Sequence, residues 1–230
     1  MPLPQPPDSP GWLREAVVAS VSISAFLAIR GALRGAAGRT AHRLSKPLAT
    51  LGLLAIPVLD AGGAPPRLRL AIGVALLLSL AGDVFLMLPG DRFAEGLAAF
   101  LAAHVAYLVA FTADAPLLGK PLPAAALAAV AAAAVALLWR GVPTPLRLPV
   151  VVYVAALVAM AGQAASRALA PGAPGSSLAA AGALLFVVSD GVLATDRFRT
   201  RLPAAPVWVL STYWAAQSLI ALSLAPAAGR

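Results

Sequence analysis

Two carboxylates stand inside stretches that should exclude them. Asp83 sits in the apolar run 76–88 and Asp190 in the apolar run 183–195. An acid near the centre of a membrane helix costs about 2.5–3.5 kcal/mol on insertion scales, so such a residue is a functional hypothesis by default. Two carboxyls in a site of low dielectric can divide their labour. One stays protonated and acts as a general acid; the other, ionised, stabilises a developing cation and orients water. The competing explanation is two unrelated structural acids, each satisfied by a neighbouring helix.

Other polar side chains fall at spacings that place them on shared helix faces. His104 and Tyr107 are i and i+3, on a stripe that also carries Gly96 and Phe100. Tyr213 and Gln217 are i and i+4, again one face. Tyr153 and Gln163 lie in a third apolar run, and Ser189 precedes Asp190. Ser79 is one turn before Asp83 and within reach of its carboxylate, while Gly82 and Gly191 beside the two acids allow close approach by another helix or a substrate. Lys46 opens an apolar segment and is expected to sit near the membrane interface. Together these residues describe a polar pocket opening toward one leaflet.

The elements that must position them are transmembrane. The chain has 230 residues, 60% hydrophobic and 11% charged, with mean hydropathy +0.87. Soluble domains are about 25% charged, and disorder requires low hydrophobicity, so both classes are excluded. The apolar runs lack period-2 alternation, which favours helices over a barrel. We read an all-α bundle of about eight spans: 13–30, 46–60, 68–88, 93–112, 121–139, 147–167, 177–195 and 203–225. The span 46–60 is the shortest, and Pro47 is expected to be its first helical residue. Residues 1–11 read as a proline-rich tail, 12–226 as one helical domain and 227–230 as a C-terminal tail. Spans three and seven run in the same direction, which places both acids about 7 Å inside one face at 1.5 Å per residue. Eleven Lys and Arg residues on that side against six on the other predict a cytoplasmic location for it, with both termini outside. Asp91-Arg92-Phe93 and Asp196-Arg197-Phe198 hint at two four-helix halves.

Cysteine chemistry is absent, and two histidines, His42 in an expected loop and His104, are too few for a three-imidazole site. No metal and no cofactor is expected. The net charge of +8 is spread over short loops and suits anionic lipid headgroups better than nucleic acid.

Lys46-Pro47-Leu48, Gly82-Asp83, the Gly96, His104 and Tyr107 stretch, Ser189-Asp190 and the closing run 213–220 resemble, in order, the YhhN/TMEM86 family over about residues 44–222. The resemblance implies an eight-span lysoplasmalogenase that hydrolyses the vinyl ether bond of a lysophospholipid. The products are a fatty aldehyde and glycerophosphoethanolamine or glycerophosphocholine. It implies Asp83 and Asp190 as the catalytic pair. Lys46, with Arg43, is then the candidate phosphate ligand, and His104, Tyr107, Tyr153, Ser189, Tyr213 and Gln217 are candidate pocket residues. The chief alternative from a different class is a transporter that uses the same acids as a proton relay.

Overall fold

The computed structural model describes residues 11–59, 64–170 and 174–224. The described chain is helical throughout: α1 (Gly11–Leu33), α2 (Arg39–Leu59), α3 (Pro66–Met87), α4 (Phe93–Phe111), α5 (Leu122–Leu138), α6 (Arg147–Ala168), α7 (Ser176–Phe198) and α8 (Ala205–Leu222). Short 3-10 turns precede α2 and join α5 to α6. The expected N-terminal tail lies outside the described residues except for Gly11, which opens α1, as does the tail at 227–230.

Alanine and leucine dominate these segments, and both give up little side-chain entropy in a helix. Proline marks the first turn of α3, α5 and α8, where a missing N–H costs nothing. Six of the helices (α1, α3, α4, α5, α6 and α7) are long and apolar enough to cross a membrane. The two others carry the polar groups inward. The buried residues of α2 are Ser45, Lys46, Ala49, Thr50, Leu53, Ile56 and Pro57, spaced as one helix face. The buried stripe of α8 includes Tyr213, Trp214 and Gln217.

Sequential helices pair as antiparallel hairpins, α1 with α2, α3 with α4, α5 with α6 and α7 with α8. α4 packs against α6, and α8 returns against α1 and α2 to close the bundle. α5 stands apart: it packs on α6 and has no buried residue. At its far end the chain passes so close to α7 that a Cβ on Gly141 would fall 1.5 Å from the Phe198 carbonyl oxygen. Only glycine permits that crossing.

One boundary differs from expectation in a way that matters. α2 begins at Arg39, so Pro47 is inside the helix and Lys46 lies two turns from its start. Pro47 cannot donate to the Arg43 carbonyl, but the helix tolerates this because its packed face holds the backbone on course. His42 accordingly lies in α2 rather than in a loop, with Nδ1 2.9 Å from the Ala28 carbonyl oxygen of α1. α7 also runs three residues past the expected limit, to Phe198.

Candidate active site

Asp83 is the hub of three helices. Its Oδ1 meets the Lys46 ammonium of α2 at 2.9 Å. Its Oδ2 accepts from the Thr50 hydroxyl at 3.0 Å and from the Tyr213 hydroxyl of α8 at 2.8 Å. All three partners are donors, which is the arrangement a carboxylate requires. The carboxylate is only 1% exposed and Lys46 only 7%. A buried ion pair offsets its desolvation only when the remaining lone pairs are also satisfied, and Thr50 and Tyr213 do that here. Lys46 is therefore placed on Asp83, within the protein, rather than at the membrane interface.

Asp190 forms a second cluster from α4, α6 and α7. The Tyr153 hydroxyl donates to its Oδ2 at 2.7 Å. His104 Nε2 lies 2.9 Å from the Tyr153 oxygen and 3.3 Å from the same Oδ2. The phenolic proton goes to Asp190, so the Tyr153 oxygen accepts and His104 Nε2 carries a proton. His104 Nδ1 is buried without a partner. No described side chain bonds Oδ1 of Asp190, and the residue is 17% exposed.

That exposure faces a cavity of about 230 Å³ between α4, α5, α6 and α7. Its walls are almost entirely carbon, including Leu97, Phe100, Leu127, Ala131 and Leu157, with Asp190 and Tyr153 as the polar exceptions. Asp83 does not line it. Aromatic rings separate the two carboxylates. Phe186 stands edge-on to His104 at 5.3 Å and to Tyr213 at 5.7 Å, bridging the clusters. Phe100 lines the cavity on one side and meets Tyr213 edge-on at 5.8 Å on the other. Where the start of α4 and the end of α7 line the cavity, Phe93 and Phe198 pack edge-on, Arg197 lies 4.8 Å over the Phe93 ring, and Arg197 pairs with Asp91. The two tripeptides noted in the sequence thus meet across the bundle.

The remaining candidates divide. Tyr107 and Gln217 are fully buried beneath the Asp83 cluster, with the Tyr107 hydroxyl and both Gln217 side-chain polar atoms unpartnered. Ser189 turns away and donates to the Val209 carbonyl of α8 at 3.0 Å. Ser79 does not reach Asp83; its hydroxyl has no partner. Gln163 belongs to the opposite end, where it donates to the Phe111 carbonyl at 2.9 Å and accepts from the Leu118 amide at 2.6 Å. Two contributors escaped the sequence reading. Thr50 was visible only as the i+4 partner of Lys46. Arg197 was named only as part of a possible repeat, with no role at the site. Among the described residues no three of His, Asp and Glu converge as a metal-binding group.

An apolar cavity with a carboxyl and a phenol at its edge, in a bundle with six helices long and apolar enough to cross a membrane, defines a polytopic integral membrane protein. The chain belongs to the YhhN family, whose model matches residues 41–224. It is 38% identical over 187 residues to the lysoplasmalogenase TMEM86B of Sus scrofa, covering 79% of this chain and 74% of that protein. It is 41% identical over 152 residues to the lysoplasmalogenase TMEM86B of Homo sapiens, covering 65% and 61% respectively. It is 34% identical over 163 residues to the human lysoplasmalogenase TMEM86A, covering 69% and 66%. No solved structure matches the chain.

Proposed function

We propose that this protein is a lysoplasmalogenase-like hydrolase that cleaves the vinyl ether bond of a lysophospholipid lying in the membrane. The observation that carries the reading is Asp190: among the cavity-lining residues it is the one carboxyl group, at the polar end of an otherwise apolar chamber. The chamber suits a hydrocarbon chain, and the names of the relatives supply the substrate class.

The Asp190 carboxyl delivers a proton to the alkene carbon remote from oxygen. The π electrons form the new C–H bond, and the ether oxygen shares a lone pair to give an oxocarbenium ion. Tyr153 and His104 fix the carboxyl through Oδ2, leaving Oδ1 for the substrate. The resulting carboxylate stabilises the cation at short range. Water adds to the oxocarbenium carbon, its proton returns to Asp190, and the hemiacetal collapses to aldehyde and glycerol hydroxyl. Asp83 works from the adjoining compartment: paired with Lys46, it fixes the Tyr213 hydroxyl and orients water. In this reading Lys46 acts through Asp83. The phosphate headgroup rests at the cavity mouth near Arg197, facing the cytoplasmic leaflet, and the termini lie on the other side.

The test uses purified full-length chain in liposomes with lysoplasmenylethanolamine, scoring release of long-chain aldehyde with and without EDTA. Wild type should release aldehyde in either buffer, and Asp190→Asn should lose at least about a hundredfold, the usual contribution of a positioned general acid. Folded wild type that releases no aldehyde sinks the vinyl ether assignment.

A further inference from the structure

The cavity that would hold the substrate's hydrocarbon is walled by carbon, yet hydrolysis consumes a water molecule. The structure also contains a second, buried polar compartment. Ser79 Oγ, the Tyr107 hydroxyl, and Nε2 and Oε1 of Gln217 are buried with no protein partner. All three residues are 0% exposed. Native interiors seldom leave such atoms unsatisfied, because an unmet buried donor or acceptor forfeits its hydration without return. Four on three helices in one region is a pattern rather than an isolated defect.

Their positions converge. Ser79 is one turn before Asp83 on α3, and Gln217 is one turn after Tyr213 on α8. The two helices run in opposite directions and are joined where Tyr213 donates to Asp83, so both steps lead the same way, deeper into the bundle. Tyr107 comes in from α4, its ring 5.8 Å from that of Phe186, which in turn meets Tyr213 at 5.7 Å. Trp214 Nε1, likewise unpartnered, is three residues before Gln217. A buried water typically makes about three hydrogen bonds to such groups. The side chains here offer an amide donor, an amide acceptor and two hydroxyls.

We propose that Ser79, Tyr107 and Gln217 form a buried water-binding site beneath Asp83, and that this site supplies the hydrolytic water. Water held there passes Tyr213 and Asp83 and crosses at Phe100, the ring between this compartment and the cavity. It adds to the oxocarbenium carbon and returns one proton to the Asp190 carboxylate, so one water is consumed and no other reactant is needed. The supply role rests on the hydrolase reading; the water site does not. Ser79, Tyr107 and Gln217 are positioning residues, since they touch water rather than substrate.

X-ray radiolytic labelling of the wild-type chain in nanodiscs tests the site without any substrate. Radicals generated from bound water oxidise the side chains beside it. Tyr107 and Trp214 should therefore label faster than Met160, which is equally buried and has the more oxidisable sulfur. Labelling of both no faster than Met160 overturns the water site. Gln217→Leu and Tyr107→Phe then test the supply: kcat should fall roughly tenfold with KM unchanged, the equivalent of one transition-state hydrogen bond. Thermal stability should change little, because each variant exchanges a water-mediated hydrogen bond for an apolar side chain of similar volume. Unchanged kcat overturns the supply role. Rapid labelling in a protein that releases no aldehyde overturns the hydrolase reading and the supply role while the water site stands.

Discussion

The Phe100 ring meets Tyr213 edge-on with centroids 5.8 Å apart, and it is this contact that separates the Asp190 cavity from the Asp83 compartment. The ring also rests against Gly82, where a Cβ would come within 2.6 Å of it. Glycine next to Asp83 therefore lets the partition close. Phe100→Ala should open it: water enters the apolar cavity, and the variant loses turnover and stability together. Truncating a core Phe costs about 3–5 kcal/mol, and this partly buried one should fall below that range. Phe100→Leu should keep most of the stability with an intermediate rate. A Phe100→Ala enzyme with wild-type turnover would refute the partition.

Asp83 and Lys46 make a prediction in which stability and activity come apart. Asp83→Asn leaves the buried Lys46 ammonium without its counter-ion, which costs about 3–5 kcal/mol when a buried pair is broken. Removing the charge as well, in Asp83→Asn with Lys46→Met, should restore most of the thermal unfolding temperature in detergent. Aldehyde release should stay lost in both variants, because the ordered donor array around Asp83 is gone. Recovery of activity along with stability would reduce Asp83 to a structural acid.

How far the sequence reaches is clearest at α2. Hydropathy and turn residues located all eight helices, because each is an apolar run longer than any loop. Pro47 misplaced the start of α2, since proline is usual in a first turn and the sequence does not show that tertiary packing will carry a helix through it. That shift of seven residues moves Lys46 from the interface to Asp83. Counting residues back from the expected helix ends put Asp83 and Asp190 at one depth, whereas α3 ends four residues after Asp83 and α7 eight residues after Asp190. Their division into two compartments was not legible either. It depends on which way Phe100 and Phe186 point, and that is set by contacts among α3, α4, α7 and α8. Ser189 shows the same limit, as its neighbour in sequence faces the cavity while it bonds α8.

The opposite end of the bundle should govern stability alone. Arg167 is 1% exposed and grips Asp114 with two hydrogen bonds, Nε to Oδ1 at 2.6 Å and Nη2 to Oδ2 at 2.7 Å. Gln163 and Ser166 hold the same α4–α5 connection through the Leu118 and Lys120 amides. Gln163, Ser166 and Arg167 lie about 15–21 Å along α6 from Tyr153 at 1.5 Å per residue. Asp114→Asn leaves a buried guanidinium short of its partner. The cost should approach the lower end of about 3–5 kcal/mol, because Asp114 is 24% exposed and water can partly replace it. Turnover per folded molecule, measured against chemical denaturation of the same preparation, should be unchanged. A fall in kcat would mean that this clamp also sets the geometry of the site.

α5 offers the cleanest test of where the hydrocarbon lies, because it walls the cavity while little of it beyond Leu127 packs against the core. It has no buried residue, yet Leu127, Val130, Ala131 and Ala134 form one wall. Ala131→Trp would fill space in the cavity, and because Ala131 is only partly buried its cost to thermal stability should not exceed about 1–3 kcal/mol, the range for adding bulk to a packed site. A substrate with a long chain should then meet a steric block worth about 1–3 kcal/mol, or roughly 10–200-fold in kcat/KM, the scale set by a misfit in an apolar pocket. A short-chain vinyl ether that ends before this wall should be hydrolysed at close to the wild-type rate. The measurement is kcat/KM for aldehyde release over a series of chain lengths, with wild type alongside. Equal loss for short and long chains would place the hydrocarbon elsewhere. A loss that grows with length until the chain passes Ala131, then levels off, would position it along α5.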